Sequence, residues 1–363
     1  MPSDDYAVWL LEEMLKIYSP TGREEKLAQF LLRELSKLGF QVKLDEVGNV
    51  IAKAGSGKPS ILLCGHMDTV EGEIPVRRRL NVIFGRGAVD AKGPLAALIV
   101  AAARHQARGG KGSLTIAAVV DEEGRSRGIK HFLETHEESF DYAIFGEPGR
   151  AHGISIAYRG RALLEVTVKT TPGHSATPQL FENSIEHMCK LINELKKAIE
   201  VVDKEPFHST TVCPTIIEGG TADNVIPAHC RALIDVRIPP KVKPMEILEK
   251  ALKIAQGHQS SKVGVEVKLI DAIEGFETNE DELLVQVFKE AIQKITGRTP
   301  VLRRKTASCD ANTFVASKRT PTVVYGPGNS KLDHAPNENI SIPEYLQAIK
   351  VLEEVLWRLT LQG

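Results

Sequence analysis

Helical spacing governs the first forty residues. Apolar positions recur every three or four residues over 6–17, and Ser19-Pro20-Thr21-Gly22 breaks the run. Thr21 followed by Glu24 reads as a capping box for a second helix. Its stripe of Leu27, Phe30, Leu31, Leu35 and Leu38 stops at Gly39. Two short strands, 42–44 and 49–53, flank a Val-Gly-Asn turn. A different pattern then repeats: a short, wholly apolar run ends in polar residues. Ile61-Leu62-Leu63-Cys64 leads into Gly65-His66-Met67-Asp68, and 114–120 into Asp121-Glu122-Glu123. Residues 142–145 lead into Gly146-Glu147, and 322–325 into Gly326-Pro327-Gly328. Helical stretches such as 94–108 lie between them. Buried strands alternating with helices predict an α/β sheet, whose ligands bind beyond the carboxyl ends of the strands.

The middle of the chain reads differently. Residues 161–169 and 230–237 alternate polar and apolar, as antiparallel strands with one covered face do. Amphipathic helices are predicted over 183–201 and 244–256, and later over 281–294 and 343–359. This predicts an α+β domain over 159–271, inserted into an α/β domain made of 1–158 and 272–363.

The strand-end residues suggest a pair of metal ions. A dinuclear site needs a bridging carboxylate with imidazole and carboxylate ligands on either side, and His66, Asp90, Glu123, Glu147 and His334 supply that set. Asp68, two residues after His66, is placed to accept the other ring N–H and fix the tautomer. Glu122 and Glu123 are adjacent, and successive side chains at a strand end diverge, leaving one free as a base. Each motif alone is an ordinary solvated turn; their joint occurrence after apolar strands carries the reading. Gly55-Ser56-Gly57-Lys58 lacks the earlier glycine of a phosphate loop and reads as a turn. Gly85-Arg86-Gly87 has Asp90 where a dinucleotide fingerprint needs its third glycine.

Charge and cysteines narrow the class. Lys and Arg total 46 against 47 Asp and Glu, so a general nucleic-acid or membrane-surface binder is not expected. No apolar run approaches the ~20 residues of a bilayer span, and the first residues do not read as a secretory signal. The 5 cysteines are scattered, with no C-x-x-C, the usage expected of a cytoplasmic protein.

The ordered set Gly65-His66-Met67-Asp68-Thr69-Val70, Gly85-Arg86-Gly87-Ala88-Val89-Asp90-Ala91-Lys92-Gly93, Asp121-Glu122-Glu123, Gly146-Glu147-Pro148, Gly173-His174-Ser175-Ala176 and Leu332-Asp333-His334 resembles the co-catalytic zinc amidohydrolases. That family includes acetylornithine deacetylase, succinyl-diaminopimelate desuccinylase, aminoacylase and the glutamate-releasing carboxypeptidases. The resemblance implies a zinc-peptidase-like catalytic domain, an inserted α+β lid that dimerises, and two Zn2+ (Co2+ as the alternative) per subunit. It implies one zinc on His66 and Glu147, the other on Glu123 and His334, and Asp90 bridging them. It further implies Glu122 as general base, Asp68 orienting His66, and a cis peptide after Asp90. His174 would stabilise the oxyanion, a capping histidine being the alternative. Asn224 and Arg237 match substrate-contacting positions, Arg237 alternatively forming a structural ion pair; Asp310 receives no role.

Ala91 after the bridging aspartate, and Tyr325-Gly326-Pro327-Gly328-Asn329-Ser330-Lys331 before His334, are similar to one branch of that family. The branch releases lysine or ornithine from the terminal glutamate of a LysW-type amino-group carrier protein in lysine and arginine biosynthesis. A free-substrate deacylase, desuccinylase or dipeptidase is the competing expectation, and a non-catalytic binding protein the third. Arg77-Arg78-Arg79 reads either as a face for an acidic carrier or as a solvated loop.

Overall fold

The computed structural model describes residues 1–361. It divides into two compact units: Met1–Ala157 with Thr278–Arg303 and Cys309 onward, and Tyr158–Glu277 with Arg304–Ser308.

The first unit is built on a mixed sheet. Its strands run in the order Gln41–Leu44, Val50–Ser56, Gly112–Val119, Ser60–His66, Tyr142–Phe145, Thr322–Val324 and Gly153–Tyr158. The four strands from Gly112–Val119 to Thr322–Val324 pair in parallel, with Val119 opposite His66, Cys64 opposite Phe145, and Val324 opposite Phe145. Their carboxyl ends therefore line up along one edge. They are almost wholly buried, which explains why their sequences are apolar runs rather than alternations. Helix Lys92–Ala107 packs against strand Ser60–His66 and helix Ile342–Leu361, and its alanines allow the close approach. Gly326 shows how tight the rim is: a Cβ there would lie 2.7 Å from both the Glu147 carbonyl oxygen and Pro94 Cβ.

The second unit is a four-stranded antiparallel sheet in the order Thr211–Gly219, His229–Ile238, Gly160–Lys169, Gly264–Ile273. Helices Ser184–Ile199 and Pro244–His258 cover one face. Ala162, Leu164, Val166 and Val168 alternate into its core with Met188, Leu191, Ile234 and Ile247. Each such buried leucine or valine contributes ~1.5–3 kcal/mol.

Two local expectations fail for identifiable reasons. The first helix begins at Asp4 rather than Tyr6, because the Ser3 side chain accepts the Tyr6 N–H. The second begins at Glu25 without a side-chain cap. The Thr21 hydroxyl donates instead to Asp68, at 2.8 Å, and Glu24 accepts the Asp121 N–H. The apparent capping box is spent on the strand-end loops.

Candidate active site

The aligned strand ends deliver the ligand-type side chains. His66 is the last residue of its strand; Glu123 and Glu147 follow theirs within a few residues. Asp90 sits in the loop before helix Lys92–Ala107, joined to Ala91 by a cis peptide. His334 follows the short helical turn Ser330–Leu332, with a left-handed backbone (φ 60°).

Asp90 lies between the two imidazoles. Its Oδ1 is 3.3 Å from His66 Nε2, and its Oδ2 is 3.2 Å from His334 Nε2. Glu147 stands 3.7 Å from His66, and Glu123 3.0 Å from His334. The donor atoms of His66, Asp90 and Glu147 lie within 4.8 Å of one another, as do those of Asp90, Glu123 and His334. Two imidazoles and three carboxylates, with one carboxylate common to both triplets, form a nitrogen–oxygen donor set that fits a pair of zinc-like divalent ions.

The electrostatics agree with that fit. Burial first, then the neighbouring carboxylates, pushes the Glu122 and Glu147 carboxyls well above the usual range. Burial and Asp90 raise Glu123. Burial disfavours charge on His66, but the carboxylates around it win and raise it. His334 is pushed up to about 9, chiefly by its hydrogen bond to Asp90. Burial opposes ionisation of Asp90, yet both histidines hold it below the usual carboxylate range. Buried acids in excess of their counter-charges make a site that favours cations.

The orienting contacts differ in detail from expectation. His66 Nδ1–H donates to the backbone carbonyl of Asp68 at 2.9 Å, with the carboxylate farther, at 3.5 Å. This directs Nε2 at the cluster. The Asp68 carboxylate instead accepts the backbone N–H groups of Glu122 and Glu123, each at 3.1 Å, and the Thr21 hydroxyl. Glu122 and Glu123 lie in a turn entered through Asp121 (φ 64°), not on a continuing strand. Their side chains are set by that pinned turn rather than by strand alternation.

The second unit holds the remaining candidates. Strand Gly173–His174 pairs with Val225–Ile226, and the Ser175 N–H donates to the Asn224 carbonyl, so His174 and Asn224 are neighbours. The exposed His174 ring accepts the Ala176 N–H at Nδ1, which leaves Nε2–H as its free donor. Arg237 forms an ion pair with Asp235, at 2.7 Å, and donates to Ser308. That is the structural alternative weighed for it.

Three further buried groups were given no role from sequence. Asp310 is buried, and burial pushes its carboxyl up to about 7. Lys92 is buried at the root of the bridging loop, donating to the Met14 and Ile17 carbonyls, and burial lowers it to about 7. Glu338 is completely buried and accepts hydrogen bonds from the loop that carries Asp90. It stands in a polar run, Pro336-Asn337-Glu338, where nothing marks an acid as buried.

Residues 62–358 match the description of peptidase family M20/M25/M40. The chain belongs to this family. A protein of Sulfurisphaera tokodaii named LysW-lysine/LysW-ornithine hydrolase is 33% identical over 342 residues, covering 94% of this chain and 92% of its own. A Pyrobaculum aerophilum protein given the same name provisionally is 36% identical, covering 95% of each chain. The fold is also that of a solved M20 family metallo-carboxypeptidase from Sulfolobus solfataricus, with a TM-score of 0.82 at 19% identity, covering 98% of this chain and 99% of that one. The chain is thus a metal-dependent amidohydrolase. Among the described residues, no helix is long and apolar enough to cross a membrane.

Proposed function

We propose that this protein hydrolyses the amide joining lysine or ornithine to the terminal glutamate of a LysW-type carrier protein. The observation that carries the reading is the five-donor cluster around Asp90, in a chain that aligns end to end with relatives bearing that hydrolase name. His66, Glu147 and Asp90 would hold one zinc ion, and Glu123, His334 and Asp90 the other. When bound, such a pair lowers the pKa of a shared water and polarises the scissile carbonyl. Glu122, outside both triplets and half-buried beside them, takes the proton of the attacking water as its oxygen joins the carbonyl carbon. It delivers that proton to the departing α-amine as the C–N bond breaks. Nε2–H of His174 is the donor for the oxyanion, its tautomer set by the Ala176 amide. Asn224, beside it, contacts the substrate; Arg237 does so through whatever donors Asp235 leaves free.

The enzyme acts as a homodimer through the inserted 159–271 domain. In support, the edge strand Thr211–Gly219 is exposed and carries the apolar Ile216 and Ile217. Arg77–Arg79, an exposed strand paired with Val82–Phe84, is the face for an acidic carrier. Reversing these three charges should raise KM for the carrier adduct by about tenfold and leave kcat within about twofold, since steering and rim contacts act on association.

The decisive assay incubates zinc-loaded enzyme with LysW–lysine and LysW–ornithine and follows loss of the amino acid from the carrier by mass spectrometry. Release that a chelator abolishes is expected. Turnover of free acetyl-lysine, acetylornithine or succinyl-diaminopimelate with intact carrier adducts would replace this reading with the free-substrate deacylase.

A further inference from the structure

Glu338 accepts four hydrogen bonds from a single stretch of chain. Oε2 takes Arg86 Nη1–H and the Gly87 N–H, each at 3.0 Å; Oε1 takes the Val89 N–H at 2.8 Å and the Asp90 N–H at 3.0 Å. Its backbone carbonyl also accepts the Gly85 N–H. Arg86 completes a brace: besides Glu338, it donates to the carbonyls of Ala335 and Gly72. The following strand, Asn339–Ser341, pairs with Val82–Phe84. The segment bearing His334 and the loop bearing Asp90 are therefore laced together along 82–90 and 334–341.

We propose that Glu338 is a positioning residue that sets Asp90 and His334 in a common register, so that its loss empties the Asp90/Glu123/His334 site before the His66/Asp90/Glu147 site. The proposal rests on the metal reading of those five residues. The asymmetry follows from what holds each ligand. His66 and Glu147 extend from adjacent parallel strands, and the Asp68 carbonyl fixes the His66 ring. Glu123 hangs from the Asp68 carboxylate. His334 has neither a strand nor an orienting partner for its ring among the described residues other than the cluster itself. It is half-exposed in a left-handed backbone conformation, four residues from Glu338, so its approach to Asp90 depends on the lacing.

A carboxylate suits this post because four converging N–H groups need two acceptor oxygens. A glutamine presents one oxygen and turns its own N–H groups against two donors. A supporting carboxylate of this kind is worth about 10–100-fold in metal affinity or activity.

The test titrates zinc into metal-free wild-type and Glu338→Gln protein and counts ions by elemental analysis. Wild type should bind two zinc ions per chain. Glu338→Gln should bind one at wild-type affinity and the second about 10–100-fold more weakly. Loaded with one equivalent of cobalt, it should give the visible spectrum of His334→Ala, a signature that simple loss of stability would not produce. Arg86→Ala, which keeps the three backbone hydrogen bonds to Glu338 but removes the Arg86 contacts to Glu338, Ala335 and Gly72, provides a second variant: its second zinc should weaken by about tenfold. If Glu338→Gln fails to fold, this titration decides. Two zinc ions at wild-type affinity in Glu338→Gln, or in Arg86→Ala where that variant decides, would overturn the proposal. So would equal weakening of both sites. A wild-type chain that binds fewer than two zinc ions would overturn the metal reading itself.

Discussion

Glu122→Gln should retain two zinc ions while kcat falls by about 10²–10⁴-fold and KM moves little, the range that a positioned acid–base group contributes. The substitution keeps the shape and removes only the capacity to accept a proton. Three features separate Glu122 from its neighbours. It belongs to neither donor triplet. Its backbone is pinned by Asp68. Its carboxyl is raised by burial and by the charges of Glu147, Asp310 and Glu123. Glu123→Gln, one residue away, should instead lose one zinc ion, because Glu123 contacts His334. Elemental analysis beside steady-state rates distinguishes the two. Turnover of Glu122→Gln near the wild-type level would reject it as the base.

The parts of the fold that came through from sequence alone are those governed by period. The apolar runs at 61–64 and 142–145, set between helical stretches, read as strands buried on both faces, and such strands end where ligands bind. That placed His66, Glu123 and Glu147 together before any contact was known. Alternation over 161–169 distinguished the second unit in the same way, since Leu164, Val166 and Val168 share one face. What escaped is held by backbone groups, which sequence does not display. The nearer partner of His66 Nδ1 is the Asp68 carbonyl, with the Asp68 carboxylate beyond it. Glu338 serves N–H groups nearly 250 residues earlier in the chain, and Thr21 reads locally as a cap while its hydroxyl is used 47 residues away. Polar residues in loops look solvated until the loop is folded, and a buried acceptor is recognised only from the donors that converge on it.

Asp68→Asn should be the most damaging substitution among residues that touch neither a proposed metal nor the attacking water. Asp68 is fully buried; burial alone would raise its carboxyl, but the His66 ring 3.5 Å away, the Thr21 hydroxyl and the Glu122 amide bring it below the ordinary value. Its two oxygens hold the backbone N–H groups of both Glu122 and Glu123 and the hydroxyl of Thr21. An asparagine has one acceptor oxygen, so at least one buried donor loses its partner and faces an N–H group instead. Each orphaned donor costs about 1–3 kcal/mol, enough to lower Tm by several degrees. Turnover should fall by about 10²-fold, because the peptide carrying the base shifts, and misplacement by 1 Å has that effect. Metal content discriminates between two accounts of the loss. The His66 ring is held by the Asp68 carbonyl, which asparagine retains. The zinc ion on His66, Asp90 and Glu147 should therefore stay, and the one on Glu123 should weaken. Thr21→Val, which removes a single donor, should cost about 1 kcal/mol and leave both ions bound. If Asp68→Asn released the His66-bound ion first, the carboxylate would be acting on the imidazole directly, and its role in setting the Glu122–Glu123 turn would be refuted.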